Sequence, residues 1–403
     1  MKILHISYSD SVGGASRAAY RIHQALLKSG VNSQMLVLVK MTTDDTVIAA
    51  QDFTNYFHNK FINIVERSTN KVLNRRGSEP LSLGIIGRRL YKFINRSDAD
   101  IVHLHWINGS TLSLRDISKI KKPLVWTLHD LWPVSGITHY DADKSQVLSL
   151  KYNFITRLVD NNLKKCKLAL IASKKIQCIA NSKWTATQIS AKVGDDVSNI
   201  PILSYPIDLK FWTRKHSKVS ARKILGIASD KKVIMFGAPG GDRDRRKGFD
   251  LLIQALLLLP KEIVKTSSLV VFGGDFDDTL ISFGNIVCLG AIQNDEFLRI
   301  VYSAADVVVM PSRLETFGQV ALEAIACGSP VGAFNTSGLR DVISHKVTGY
   351  LAKPYESKSL ANGISWCLKE YEHFGDQAWS ANVNKFSYTE IAKKYVNFYS
   401  GFK

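Results

Sequence analysis

Cysteine is scarce in this chain and nowhere paired by spacing: Cys166, Cys178, Cys288, Cys327 and Cys367 form an odd, scattered set with no C-x-x-C among them. That excludes a disulfide scaffold and a structural zinc site, and it predicts a reducing, cytoplasmic home. Long apolar runs are lacking too. The most apolar stretch, residues 251–259, stops at Pro260, well short of the roughly 20 residues that cross a bilayer. The opening residues 1–6 lead straight into the polar stretch 7–11, too short an apolar run for the core of a signal peptide, so neither a membrane span nor export is expected. Acidic side chains are outnumbered, 35 Asp and Glu against 53 Lys and Arg, for a formal charge of +18. Such a surplus suits an anionic partner: nucleic acid, an anionic membrane face or a phosphorylated substrate. No short-period repeat or low-complexity tract interrupts the chain.

What is present is a large potential core: 403 residues, 45% of them apolar, enough for two domains. Short β-rich apolar runs alternate with helical patterns in both halves, the signature of a parallel sheet with crossover helices. Strands are expected at 2–7, 34–39, 101–105, 124–128 and 177–180, then at 232–236, 268–272, 286–289, 306–310 and 330–334. Helices are expected at 15–29 and 249–259. Pro201 and Pro206 interrupt the periodicity, placing the domain junction near residues 201–212. The expected class is α/β, with two doubly wound, Rossmann-like domains.

Ligands of such sheets sit at the carboxyl ends of the strands, so those loops carry the functional reading. After the first strand, Gly13-Gly14 opens a helix and lets backbone N–H groups approach an anion. No G-x-G-x-x-G is present and the second strand ends at Lys40, which disfavours a dinucleotide-dependent dehydrogenase. His103 and His105 share one strand face, as a metal pair would; hydrogen-bonded histidines in a packed strand end are the competing reading. Trp126-Thr127-Leu128-His129-Asp130-Leu131-Trp132-Pro133 ends a strand in a polar pair flanked by tryptophans, which is site architecture. The segment from Gly237 to Gly248 combines glycines with Arg243, Arg245, Arg246 and Lys247 ahead of an apolar helix, a setting for phosphate oxygens without the Walker signature. The most specific constellation runs from Asp306 to Gly328. There a buried strand leads into a loop carrying Glu315, then a helix that starts at Phe317 and Gly318 and carries Glu323. A helix N-terminus for a diphosphate, with a carboxylate on either side for sugar hydroxyls, is nucleotide-sugar chemistry.

On these motifs the chain resembles the retaining family-4 glycosyltransferases of the GT-B fold, similar to bacterial enzymes of exopolysaccharide, O-antigen and colanic acid biosynthesis. The resemblance extends to His103-Leu104-His105-Trp106, Ala180-Asn181-Ser182-Lys183-Trp184, Tyr205-Pro206-Ile207-Asp208 and Arg246-Lys247-Gly248. It implies an acceptor-side domain at 1–205, a donor-binding domain at 206–385 and a helix at 386–403 that returns to the first domain, with the two domains facing a central cleft. It makes Glu315 the contact to the donor sugar, Glu323 the ribose ligand, Lys247 a phosphate clamp and His129 the active-site histidine. Gly13, Gly14, Phe317 and Gly318 join them as donor-side backbone. Ala238 stands where relatives often place the clamp arginine, so Arg243, Arg245 or Arg246 must substitute. The Gly-Gly-Cys-His of close relatives is replaced by Ser135-Gly136-Ile137-Thr138-His139.

The resemblance implies transfer of a hexose from a UDP- or GDP-linked sugar to a lipid-linked oligosaccharide, with no cofactor beyond this co-substrate and no metal. It places the protein at the inner face of the plasma membrane. Residues 60–96, where basic side chains including Arg75, Arg76, Arg88 and Arg89 interleave with Leu90, Tyr91 and Phe93, read as basic helices that could lie on an anionic membrane surface or pack on the domain. Two rival classes stand beside this reading: a nucleotide-sugar epimerase on the same fold, and a nucleic-acid-binding protein. No recognised binding motif supports the second, and no nucleic-acid partner is expected.

Overall fold

The computed structural model describes residues 1–50, 81–140, 154–241, 243–274, 276, 283, 285–370 and 376–402. The chain divides into two compact units, Met1–Pro206 with Tyr388–Lys403, and Ile207–Ser387. Each is built on a six-stranded parallel sheet. In the first, β1 (Lys2–Ser9), β2 (Asn32–Val39), β3 (Val47–Ala49), β4 (Ile101–Leu104), β5 (Leu124–Leu128) and β6 (Gln177–Ala180) lie in the order β3-β2-β1-β4-β5-β6. In the second, β7 (Lys232–Gly237), β8 (Ser267–Phe272), β9 (Ile286–Cys288), β10 (Val307–Met310), β11 (Val331–Phe334) and β12 (Gly349–Ala352) lie in the order β12-β11-β10-β7-β8-β9. Counted from each unit's own first strand the two orders are the same: the second strand is added on one side and the fourth on the other, the doubly wound plan expected from the sequence.

The strands form where they do because helices cover both faces of each sheet, which selects continuous Val, Ile and Leu runs over alternation. Every residue of β5, β8, β10 and β11 is buried. Between strands, helices start at side-chain caps. Ser182 accepts from the Thr185 N–H at 3.2 Å, Asn294 accepts from the Phe297 N–H at 3.1 Å, and Ser113 with Asp116 forms a capping box; each satisfies donors the helix leaves open. Two strands escape the sequence reading, β3 and β12. Both lie at sheet edges, paired on one side only, and are short, at three and four residues.

The last helix, Tyr388–Ser400, belongs to the first unit and lies against the first helix, Gly13–Lys28, burying Ile391, Tyr395 and Tyr399. Of the basic segment expected at 60–96, residues 60–80, with Arg75 and Arg76, lie outside the described residues. The rest departs from an outward-facing amphipathic pair. Arg88 and Leu90 are buried, and Tyr91 and Phe93 pack on the sheet's hydrophobic core. Only the short helix Tyr91–Arg96 forms there, exposing Lys92 and Arg96. The apolar residues of this part face inward because burial against a neighbouring core is available to them.

At the amino edge of the second sheet, Asp306 is buried and accepts from Arg222 Nη2 at 2.5 Å, Lys218 Nζ at 2.8 Å and the Val233 N–H at 2.7 Å. Arg222 is itself buried. Asp306→Ala should therefore lower the unfolding free energy by about 3–5 kcal/mol, the cost of stranding a buried charge. Urea denaturation followed by tryptophan fluorescence measures it, and a loss below about 1 kcal/mol would contradict this account.

Candidate active site

In the second unit the strand order reverses between β7 and β10, and the loops that leave these two strands flank the crevice where doubly wound sheets bind ligands. After β7 the chain turns through Gly240 and Gly241, then winds a short 3-10 turn, Arg245–Lys247, into the helix Phe249–Leu257. After β10 it runs through Pro311 to Glu315 and Gly318, then into the helix Gln319–Ala326. Gly248 makes their approach possible. Its φ is +70°, and a Cβ there would lie 2.0 Å from the Pro311 carbonyl oxygen, so only glycine fits. The two loops are then stapled. The Arg313 N–H donates to the Arg246 carbonyl at 2.7 Å, and the Arg313 guanidinium grips Asp250 through two bonds of 2.7 and 2.6 Å. That guanidinium holds the Asp250 carboxyl below the ordinary carboxylate range.

The result of this stapling is an ion pair: Lys247 Nζ lies 2.5 Å from Glu315 Oε1, and Ser312 Oγ donates to the same oxygen at 3.1 Å. The backbone of Glu315 is fixed as well, its N–H donating to Ser337 Oγ at 3.0 Å and its carbonyl accepting from the Gly338 N–H at 2.8 Å. Arg246 is held by Asp244 through bonds of 3.1 and 2.6 Å, while Arg243 and Arg245 are exposed. Phe317 is buried, and Gly318, with φ +108°, takes the N-cap position of its helix without a side-chain cap. Glu323 lies on that helix, buried, with Tyr302 donating its hydroxyl to Oε2 at 3.1 Å. Of the residues expected on the donor side, the structure thus brings Lys247 and Glu315 into contact and puts Phe317, Gly318 and Glu323 on the element that follows. Tyr302 and Ser337 were invisible to sequence reasoning, since each reaches the site from another element, while Ser312 and Asp250 lie within three residues of Glu315 and Lys247 but carry no signal of their own.

In the first unit, Gly13 and Gly14 open the first helix after a buried Asp10. That carboxylate accepts from the Met41 and Thr42 N–H groups at 2.9 Å each and from Thr42 Oγ1 at 2.8 Å, tying the loop after β1 to the end of β2. His129 follows β5 directly and is part of a buried chain of polar rings. Its Nδ1 lies 2.6 Å from the Tyr205 hydroxyl, and its Nε2 lies 3.0 Å from His105 Nδ1. His105 Nε2 continues to His5 Nδ1 at 2.9 Å, and Asn181 donates to the Tyr205 oxygen at 2.6 Å. Each ring in this chain has one proton to share between two nitrogens, so choosing the tautomer of one histidine chooses it for all three.

His103 stands beside the chain, bonded to the Tyr399 hydroxyl at 2.6 Å and to Thr127 Oγ1 at 2.8 Å. His5, His103 and His105 offer nitrogens within 4.8 Å of one another, a spacing that could hold a metal. Both nitrogens of His103 and of His105 are, however, already hydrogen-bonded within the protein, which favours the hydrogen-bonded reading of this strand face. Burial keeps these rings neutral: His129 is pushed down to about 4, Asp130 offsetting part of the effect, and desolvation holds His5, His103 and His105 well below the ordinary imidazole value.

Asp130 anchors the loop after His129. It accepts from His139 Nδ1 at 2.6 Å, Trp106 Nε1 at 3.1 Å and the Trp132 N–H at 3.0 Å. Burial alone would raise its carboxyl, but His139, the Trp132 N–H and His129 together outweigh it and the net direction is down. Behind it Lys167, fully buried, donates to the Trp132 carbonyl at 2.7 Å and the Gly136 carbonyl at 2.5 Å, and desolvation drives its pKa well down. A lysine in a helix carries no sequence signal for this role.

The family described as glycosyl transferases group 1 matches residues 218–382, and the glycosyltransferase family 4 description matches residues 12–211. An uncharacterized glycosyltransferase of Methanocaldococcus jannaschii is 28% identical over 79% of this chain and 77% of its own length. The D-inositol 3-phosphate glycosyltransferase of Mycobacteroides abscessus is 28% identical over 71% of this chain and 64% of that enzyme. Among solved structures, Anabaena HepE in complex with UDP and glucose superimposes with a TM-score of 0.65 at 18% identity, covering 100% of both chains. Sucrose-phosphate synthase of Thermosynechococcus elongatus gives 0.66 at 18% identity, over 100% of this chain and 99% of its own.

The neutral histidines set a pH dependence. A histidine whose folded pKa lies below the unfolded value near 6.5 contributes stability that is fully present above pH 6.5 and is lost as pH falls toward the folded pKa, because the unfolded chain takes the proton first. The urea midpoint should hold near neutrality and drop between pH 6.5 and 4. His129→Gln should flatten that slope by up to about 1.4 kcal/mol per pH unit. An unchanged midpoint from pH 7 to 4.5 would show that the rings are not held neutral.

Proposed function

The chain belongs to the glycosyltransferases, joining a family 4 domain to a group 1 domain in a GT-B fold, and from that premise we propose that it transfers a hexose from a UDP- or GDP-linked sugar to a lipid-linked oligosaccharide of a bacterial surface polysaccharide, with retention at the anomeric carbon. The observation that carries this reading is the Lys247–Glu315 pair at the reversal of strand order. Breaking the anomeric bond leaves negative charge on the nucleoside diphosphate and positive character on the sugar, so a site must present a cation and a hydrogen-bond acceptor side by side. Before donor arrives, Lys247 and Glu315 answer each other. A bound diphosphate draws Lys247 to its oxygens and frees Glu315 to accept from sugar hydroxyls.

In this reading Arg243 or Arg246 supports Lys247, and the Phe317–Gly318 turn offers backbone donors to the phosphates. Gly13 and Gly14 supply backbone on the acceptor-side domain, and Glu323, oriented by Tyr302, receives the ribose. His129 serves the transfer as a neutral imidazole, in keeping with a ring held near pKa 4 and bonded at both nitrogens. With fixed cations at the leaving group, neither a metal nor a covalent glycosyl-enzyme is required. HepE, whose crystals hold UDP and glucose, supports a UDP-sugar donor. The excess positive charge, together with described helices none of which is long and apolar enough to cross a membrane, supports peripheral association with an anionic inner leaflet, where a lipid-linked acceptor is presented. The D-inositol 3-phosphate glycosyltransferases among the relatives favour a second acceptor class, a soluble phosphorylated polyol. Radiolabelled donor offered with each acceptor in turn separates the two.

Two outcomes test the site. Glu323→Ala should weaken donor affinity about tenfold or more with little change in kcat, whereas Glu315→Ala should chiefly lower kcat, because the ribose is remote from the reacting bond and the hexose is not. Parental kinetics in both variants would dismiss the assignment. Lys247→Ala should cost on the order of 10²–10³ in kcat while EDTA leaves the parent unaffected; inactivation by chelator that a divalent ion restores would show that a metal does the work assigned to Lys247.

A further inference from the structure

The loops of the candidate site leave the carboxyl edges of the sheets. The opposite, amino edge of the first sheet holds a groove of about 660 Å³. It is built by the segments that enter β4, β5 and β6: the helix Tyr91–Arg96 ahead of β4, residues 118–121 ahead of β5, and Lys174 ahead of β6. Five of its lining side chains are cationic, Lys92, Arg96, Lys119, Lys121 and Lys174, and none is a carboxylate.

The neighbouring acids do not answer them: Asp98 is paired with Lys2 at 2.5 Å, and Asp100 accepts from the Lys2 N–H at 2.7 Å. Asn95 gives the groove its form, donating to the Lys119 carbonyl at 2.9 Å and accepting from the Lys121 N–H at 2.9 Å, so the loop with both lysines is pinned to the helix bearing Lys92 and Arg96. Two cations are partly occupied, Lys119 over the Tyr91 ring at 4.9 Å and Lys174 Nζ on the Ile120 carbonyl at 3.1 Å. No described residue pairs with the heads of Lys92, Arg96 or Lys121, which are exposed. Like charges gathered without counter-charge repel one another, and in a concave setting their potentials add.

We infer that this groove binds clustered phosphate groups, carried by an anionic lipid headgroup or by a free polyphosphate. Phosphate oxygens suit ammonium and guanidinium donors arranged around a concavity, and two or more phosphates would engage cations from all three segments at once. The inference is independent of the donor site; it draws on the peripheral-membrane reading only for the lipid source of the phosphates.

The test compares the parent chain, a Lys92→Ser/Arg96→Ser/Lys121→Ser variant and the Lys247→Ala variant. Tripolyphosphate binding is measured by titration calorimetry, and sedimentation is followed with vesicles of phosphatidylglycerol and phosphatidylcholine, both at low salt. The triple variant should bind at least one of the two probes tenfold or more weakly than the parent, while Lys247→Ala retains groove binding and donor turnover by the triple variant persists on a soluble acceptor. Loss with tripolyphosphate alone identifies a free polyphosphate, and loss with vesicles alone identifies a lipid surface. Mass spectrometry of acetylated lysines supplies a readout on the unaltered chain: the bound probe should shield Lys92 and Lys121. The inference is overturned if the parent binds neither probe, if the triple variant binds as the parent does, or if the probe shields neither lysine.

Discussion

Lys247 and Glu315, 68 residues apart, meet at 2.5 Å because the strands that precede them are neighbours where the order of the second sheet reverses. Most of the local architecture follows from bringing those two loops so close. Gly248 has no side chain because the Pro311 carbonyl occupies the space, and Arg313 is committed to Asp250 and to the Arg245 and Arg246 carbonyls because the loops would otherwise part. The pair also solves an electrostatic problem. A half-buried lysine and a half-buried glutamate awaiting a charged ligand would each bear the cost of desolvation alone; in contact each is answered by the opposite charge.

The first unit handles polarity differently. Its sheet carries His5, His103, His105 and His129 on one side, all buried; burial keeps them neutral, and they bond ring to ring and ring to hydroxyl. The hydroxyls come from far along the chain, Tyr205 from the end of the first unit's main segment and Tyr399 from the last helix. A network of this kind costs stability wherever it is incomplete and sharpens the structure wherever it is satisfied. Tyr399 therefore does more than pack: it gives the last helix a directional bond to β4, so that the returning helix is held in one register.

Charge is sorted by location as well as by sign. At the carboxyl edge of the second sheet, cations are matched by carboxylates: Arg246 by Asp244, Lys247 by Glu315, Arg313 by Asp250. At the amino edge of the first sheet, five cations line one groove with no carboxylate among them. The first arrangement preorganises a site for an anion that must arrive and leave. The second leaves a standing positive potential, falling off over about a Debye length in salt.

The amino-acid sequence by itself determined the repeated α/β plan, because hydrophobic periodicity and loop punctuation are local properties that survive without a partner. It also determined the glutamate-bearing loop and helix after β10 and the family resemblance, since Glu315 and Glu323 lie on one continuous stretch. The edge strands β3 and β12 escaped it: each pairs on one side only, and that pairing is a tertiary fact. Tertiary structure alone decided the inward turn of Arg88, the burial of Lys167 beneath Trp132, the hold of Asp10 on residues 41 and 42, and the enclosure of His129 between Tyr205 and His105. Each of those depends on which distant segments share a sheet edge or a helix face. A charged or polar side chain takes its character from the desolvation and the partners it finds there, and neither is written in its neighbours along the chain.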